Sequence, residues 1–316
     1  MTLKFYIGLI SFSLSLIAIF LNFLIFMPVF RLAFVSRKST IYIIAFFNII
    51  SDLMQLFITG FHLSLSIMAD RYILSGSQLS EMSIFLAGVF IDAWFLENVV
   101  QIVMAVNRFA VITLNKKDLF TFKNTILIFV ILNCITLFSS VCSQYWYPCC
   151  KLIGDHELMT YTLVSIEGVY SYTNFTILSY DIFCTSLSTF CYMSVLNTIR
   201  SSTKTAPESV KSARTHQDIK YLIHFVFISI FYVCTWVSFE TLPFIVPAHQ
   251  PEWYGVIPFC IIFNCSTNAV IYLSANIEVQ KSLQIPWIRR KLYGGPRSSA
   301  VIPAVPSTTP ATIPTN

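Results

Sequence analysis

The chain alternates long apolar runs with short polar breaks. Seven runs reach the length of about 20 residues that a helix needs to cross a hydrocarbon core about 30 Å thick. They cover residues 6–30, 40–68, 82–112, 124–146, 172–196, 219–246 and 253–275. The third is apolar through Ala105 and continues helically to Ile112. Backbone polar groups cannot be left open in lipid, and runs this long do not alternate as barrel strands do. The pattern therefore predicts an all-α membrane protein, a seven-transmembrane-helix bundle spanning residues 1–283. Residues 284–316 form a tail rich in Gly, Pro, Ser and Thr, a composition that stays disordered. The first run is too long for the apolar core of a signal peptide, about 7–15 residues, and is read as an uncleaved helix.

Charge sets the orientation. Arg31, Arg37 and Lys38, then Arg108, Lys116, Lys117 and Lys123, then Arg200, Lys204, Lys211, Arg214 and Lys220 fall in one set of loops, and the tail adds more. Of the 20 Lys and Arg, Lys4, Arg71 and Lys151 alone fall on the opposite side. The positive-inside rule then puts the N-terminus outside and the tail in the cytoplasm. Composition agrees: 56% of residues are hydrophobic and 11% charged, against about 25% charged in a soluble domain. No element combines a basic cluster with exposed aromatics, so a nucleic-acid partner is excluded. Lipid is the surrounding partner.

Nine cysteines lie mostly within the apolar runs. No pair of C-x-x-C units exists, which excludes a zinc module. Cys149 and Cys150 sit in the loop 147–171 and are free to pair with each other, with Cys142, or with nothing.

The residues of several runs resemble the rhodopsin-like receptor superfamily. The last run reads N-C-S-T-N-A-V-I-Y, Asn264 to Tyr272, similar to the family's N-S-x-x-N-P-x-x-Y with Ala269 in the proline's place. The second carries F-N-I-I-S-D-L with Asp52 at the midmembrane acid, the third ends N-R-F in place of D-R-Y, and Asn22 occupies the first run's asparagine. Within that superfamily the chain is similar to nematode serpentine chemoreceptors of class X, through N-R-F, L-F-T-F-K-N-T, Q-Y-W-Y-P-C-C, W-V-S-F-E-T-L-P and the last-run motif. The resemblance covers residues 6–283. It implies a G-protein-coupled receptor in the plasma membrane, with a sensory cilium as one location. Its implied partners are a small extracellular molecule, a heterotrimeric G protein, and arrestin and a receptor kinase acting on the tail. It also implies a short amphipathic helix along the inner leaflet after Tyr272. The family's disulfide from the third run cannot form here, because no cysteine occurs before Cys134. No lysine lies in the seventh run, which excludes a retinal Schiff base.

Ionisable groups in the oil cost roughly 3 kcal/mol each at midspan, so each asks for a reason. Asp52 and Glu97 come to the same depth, about 16–18 Å from the inner ends of their helices at 1.5 Å per residue. In the superfamily that depth holds a sodium and water cluster, which Asn264 and Asn268 would complete. Two readings stand: a hydrogen-bond network that fixes helix contacts, or a shared proton or sodium ion between the two acids. No other cofactor is expected. Farther out, Asp92, Trp94, Tyr180, Trp236 and Glu240 are candidates for a pocket taking a small amphiphilic or cationic ligand, with Asp181 a weaker one. The superfamily's amine-binding acid falls on Phe90, which speaks against an aminergic pocket.

At the inner end, Asn107, Arg108 and Phe109 with Tyr272 match the coupling switch. Asp218 falls where an acid on the sixth helix would close over Arg108. Asp218 reads equally as a helix N-cap, and Arg108 as an anchor at the headgroups. In the switch, the sixth helix swings outward and opens a groove for a G-protein helix. Asn107 replaces the acid that would hold Arg108 in its own turn, so some basal signalling is expected.

Enzyme chemistry finds no support. The five histidines are scattered, with no H-E-x-x-H, and no Gly-x-Gly-Asp protease motif occurs. The remaining alternative is a seven-helix ligand-gated channel or transporter, which the absence of visible repeats or broken helices disfavours.

Overall fold

The computed structural model describes residues 3–74, 76–164, 166, 168–205, 229–247 and 250–283. Six helices are long and apolar enough to cross a membrane: α1 (Leu3–Val35), α2 (Ile41–Ala69), α3 (Glu81–Thr113), α4 (Phe122–Trp146), α5 (Tyr172–Ser201) and α7 (Pro251–Ala275). Between α5 and α7 lies the shorter apolar helix α6 (Ser229–Ile245). A seven-helix bundle results. After it comes a short helix, α8 (Ile277–Ser282). The part of the sixth run before Ser229, and the tail, lie outside the described residues.

Sequence sets the helix starts locally. Ser80 caps α3 by accepting from the Ser83 N–H at 3.2 Å, and Thr121 caps α4 by accepting from the Asn124 N–H at 3.3 Å. Asn276 caps α8 through the N–H groups of Glu278 and Val279. Each side-chain oxygen satisfies a backbone donor that the first turn leaves without an intrahelical partner.

Burial orders the helices. In its apolar window α3 is 78% buried, whereas α4 and α5 are 28% buried. α3 is therefore the central helix, and α4 and α5 present most of their surface to lipid. Leu127, Phe138 and Phe183 are among the large side chains on that outer surface, and Phe20 and Met27 stand exposed on α1. Where the solvent is lipid, helices associate through close packing and hydrogen bonds. Gly8 shows the first: a Cβ there would stand 2.8 Å from Met68 Cγ and 2.9 Å from the Met68 backbone N. Ser11 and Ser64 show the second, with hydroxyls 2.8 Å apart between α1 and α2. Asn22 ties α1 to α7 by donating to the Cys265 carbonyl at 3.0 Å.

One feature adds to the helical expectation. The loop after α4 holds a two-stranded antiparallel hairpin, β1 (Leu152–Asp155) and β2 (Thr160–Leu163). Asp155 Oδ1 accepts from the N–H of Glu157 at 2.7 Å and so shapes the turn. Leu152, Ile153, Met159 and Tyr161 are buried. The Tyr161 ring stacks on Phe90 of α3 at 3.9 Å, and its hydroxyl meets Thr59 of α2 at 3.2 Å. The hairpin thus packs into the end of the bundle that the charge pattern assigns to the outside. Cys149 and Cys150 are joined just before it, and Cys142 is a free, buried thiol.

Candidate functional site

Three polar layers follow α3 from one end to the other. The middle layer joins α2, α3 and α7. Glu97 is fully buried and accepts from Asn264 at 2.6 Å, Gln55 at 2.8 Å and Gln101 at 3.3 Å. Asp52 is equally buried and accepts from Asn48 at 2.8 Å and Asn268 at 3.2 Å. The structure brings together all four residues predicted for this cluster. It adds Asn48, Gln55 and Gln101, of which Asn48 and Gln101 lie four residues from their acids, on the same helix face. Asp52 Oδ1, Gln55 Oε1 and Asn264 Oδ1 are buried and have no hydrogen-bond partner among the described residues. Unused oxygens beside two carboxylates fit a hard cation, which takes oxygen ligands.

The outer layer is a narrow cavity of about 40 Å³ lined by Phe90, Trp94, Tyr161, Asp181, Trp236 and Phe239 among others. A second, larger cavity of about 250 Å³ shares Tyr161, Phe239 and Ile257 with it and is lined also by Glu240 and Asn174. Asn174, the acceptor position of a glycosylation sequon, thus faces a cavity. Of the residues expected to line one pocket, Trp94 and Trp236 line the first cavity and Glu240 the second. Asp92 and Tyr180 line neither. The Tyr180 hydroxyl meets Ser139 of α4 at 2.9 Å and its ring stacks on Phe95 at 4.3 Å. Asp92 neighbours Thr136 of α4. Both belong to the seam between α3, α4 and α5. The reason is helical phase: Asp92 stands about 140° around α3 from Glu97 at 100° per residue, while Phe90 and Trp94 share the Glu97 face.

The acid that does reach the cavity is Asp181, 1% exposed. Its Oδ1 accepts from Tyr232 of α6 at 2.5 Å, Trp94 at 3.0 Å and Asn98 at 3.2 Å. The Tyr232 hydroxyl also meets Asn98 Oδ1, and the Tyr232 ring stacks on Trp94 at 5.4 Å. The cluster therefore ties α3, α5 and α6 together directly beneath the cavity. The spacing Ile177, Asp181, Cys184 on one buried face of α5 is the sequence signal for it.

At the inner layer Arg108 closes the α-helical part of α3, next to the buried Tyr192 of α5, whose environment it influences electrostatically. Asn107 is buried and Phe109 lies 6.2 Å from Phe190 of α5. Tyr272 is half-buried near the inner end of α7, close enough to Tyr42 of α2 to act on it electrostatically. Asp218, the predicted closing partner of Arg108, lies outside the described residues. Beside this layer Glu278 of α8 accepts from the Tyr42 hydroxyl and from Lys38 Nζ, each at 2.6 Å. Burial pushes the Glu278 carboxyl up, but the Lys38 ammonium and Tyr42 hydroxyl outweigh it and hold it below its usual range. At the other end Lys4 pairs with Asp70 and holds its carboxyl below the usual range.

Six membrane-length helices, a seventh shorter one and a buried polar column along the third define a seven-helix membrane protein. The crystal structure of squid rhodopsin is similar over 90% of this chain and 86% of that chain, with a TM-score of 0.71 and 12% sequence identity. At that identity the likeness shows the fold. The family model for the serpentine type 7TM GPCR chemoreceptor Srx matches residues 12–273. The chain belongs to that family and is an integral membrane protein. No curated protein matches it in sequence.

Proposed function

We propose that this G-protein-coupled receptor binds a small extracellular molecule in the aromatic cavity and activates a heterotrimeric G protein at its inner end. Outward movement of the sixth helix links the two. The observation that carries this reading is the Asp181–Tyr232–Asn98 cluster. It lies against the cavity and fastens α6 to α3 and α5, so a ligand that alters it alters the helix that must move. A discrete tie of this kind provides two states whose balance a ligand shifts by its differential affinity. Asn107, Arg108, Phe109, Asp218 and Tyr272 form the coupling end of the same device.

A sodium ion held by Asp52 and Glu97, with Asn264 Oδ1 and Gln55 Oε1 as further ligands, is part of the same proposal. An ion there joins α2, α3 and α7 and stabilises the closed bundle.

The test is a chemical screen on cells expressing this chain with and without a promiscuous G protein. A ligand-evoked calcium signal that requires the added G protein supports the proposal. A current or signal that persists without it contradicts the proposal and indicates a channel.

A further inference from the structure

The aromatic cavity contains a polar group that the fold leaves unused. Asp181 stands on its wall, nine-tenths or more buried, with three donors on Oδ1. Oδ2 has no hydrogen-bond partner among the described residues. The cavity is lined also by the rings of Phe90, Trp94, Tyr161, Trp236 and Phe239, and no Lys, Arg or His appears among the described lining residues. A buried acceptor without a donor is destabilising, and more so when charged.

We propose that the ligand is a small organic monocation: an ammonium with at least one N–H, carried on a compact apolar or aromatic body. This rests on the receptor reading above and names its ligand class. The N–H donates to Asp181 Oδ2 and the charge sits between the carboxylate and the aromatic faces, whose quadrupoles attract cations. The outer cavity offers a second acid on the same route: Glu240 lines it, and its Oε1 also lacks a partner among the described residues. Two acids in series, one at the entry and one at the floor, favour a cation over a neutral molecule and repel a carboxylate. The two adjoining cavities hold about 40 and 250 Å³, at or below the small end of ligand sites, about 300–1,000 Å³, so the body is compact. The acid comes from α5, at Asp181, while the position on α3 where an amine receptor would carry it is Phe90. That is why the α3 position alone argues against such a ligand.

The experiment uses the full chain in cells with an added promiscuous G protein. The probes are phenylalkylamines with one to four methylenes, each beside its matched alcohol and carboxylic acid. The expected result is activation by at least one amine, with the alcohol much weaker and the acid inactive. Asp181→Asn should raise the half-maximal concentration by about 100-fold or more, as for loss of a buried charge partner, and Asp181→Glu should recover part of it. Surface delivery is measured for each variant. If Asp181→Asn fails to reach the surface, Ile261→Phe, which narrows the cavity from α7, must weaken the amine response instead. Amine potency unchanged by these variants, alcohols or acids equal to the amines, or silence from every amine overturns the proposal. An active alcohol or acid with silent amines overturns it while leaving the receptor reading intact. A response independent of the added G protein defeats the receptor reading itself.

Discussion

Replacing Tyr232 by Phe removes one hydroxyl and nothing else from the tie between α6 and its neighbours. The ring, and its stack on Trp94 at 5.4 Å, remain. What is lost is the bond to Asp181 Oδ1 at 2.5 Å, together with the hydroxyl contact to Asn98 Oδ1. A hydrogen bond to a charged group contributes about 1.5–3 kcal/mol. Asp181 keeps its donors from Trp94 and Asn98, so a value of about 2 kcal/mol is appropriate. If the tie is made with α6 in and broken with α6 out, the whole amount biases the equilibrium outward. At tenfold per 1.4 kcal/mol that is up to about a 30-fold rise in the active-to-inactive ratio. The assay is basal guanine-nucleotide exchange on an added G protein, normalised to receptor at the surface, with thermal stability measured in parallel. The account predicts a higher basal rate together with a lower unfolding temperature. A normally delivered Tyr232→Phe receptor with unchanged or lower basal exchange would refute the reasoning.

Three further outcomes follow from other layers. Glu97→Gln keeps the shape of the side chain but puts an amide where Asn264 and Gln55 now donate. It should abolish any sodium dependence of basal activity, and an unchanged sodium response would remove the ion from the account. Gly8→Ala places a Cβ against the Met68 backbone and should destabilise the receptor by about 1–3 kcal/mol, as overpacking does. A thermal unfolding curve coinciding with that of the native chain would contradict the close approach. Glu278 has its carboxyl lowered in the folded protein, so its contribution is complete above the ordinary glutamate value and fades as pH falls through the lower folded value. Being partly exposed, the pair supplies at most about 1 kcal/mol. The protection of the α8 amides, relative to their intrinsic exchange at each pH, should fall on acidification below about pH 4, and Glu278→Gln should remove that acid step.

Much of this architecture is legible in the sequence, and the reasons are physical. Seven lipid-length runs and a one-sided distribution of Lys and Arg leave few alternatives to a seven-helix bundle. The Asp52–Glu97 layer is legible because depth depends only on helical rise, and both acids count to the same level. The pocket is legible only in part, because depth does not determine azimuth. Asp92 and Glu97 are close along α3 but point to different neighbours. Tyr180 and Asp181 are adjacent in sequence, yet one meets α4 and the other reaches the cavity. Counting phase from Glu97 identifies Phe90 and Trp94 as interior, Asn98 lies one turn from Trp94, and the Ile177–Asp181–Cys184 spacing marks the interior face of α5. The hairpin was hidden for another reason. Its strands, Leu152–Asp155 and Thr160–Leu163, are four residues each, too short to show a period, and they are held by burial of Tyr161 and Ile153 in the bundle mouth.

The central claim is that this chain switches a G protein through the inner end of α3. It is tested most directly with the purified full-length receptor, reconstituted in lipid with a heterotrimeric G protein, by measuring nucleotide exchange for the native chain and for Arg108→Ala. The account predicts receptor-dependent exchange by the native chain. It predicts exchange near the receptor-free rate for Arg108→Ala, with folding and surface delivery preserved. Equal exchange by the two proteins, or none by either in the presence of an activating ligand, would contradict it.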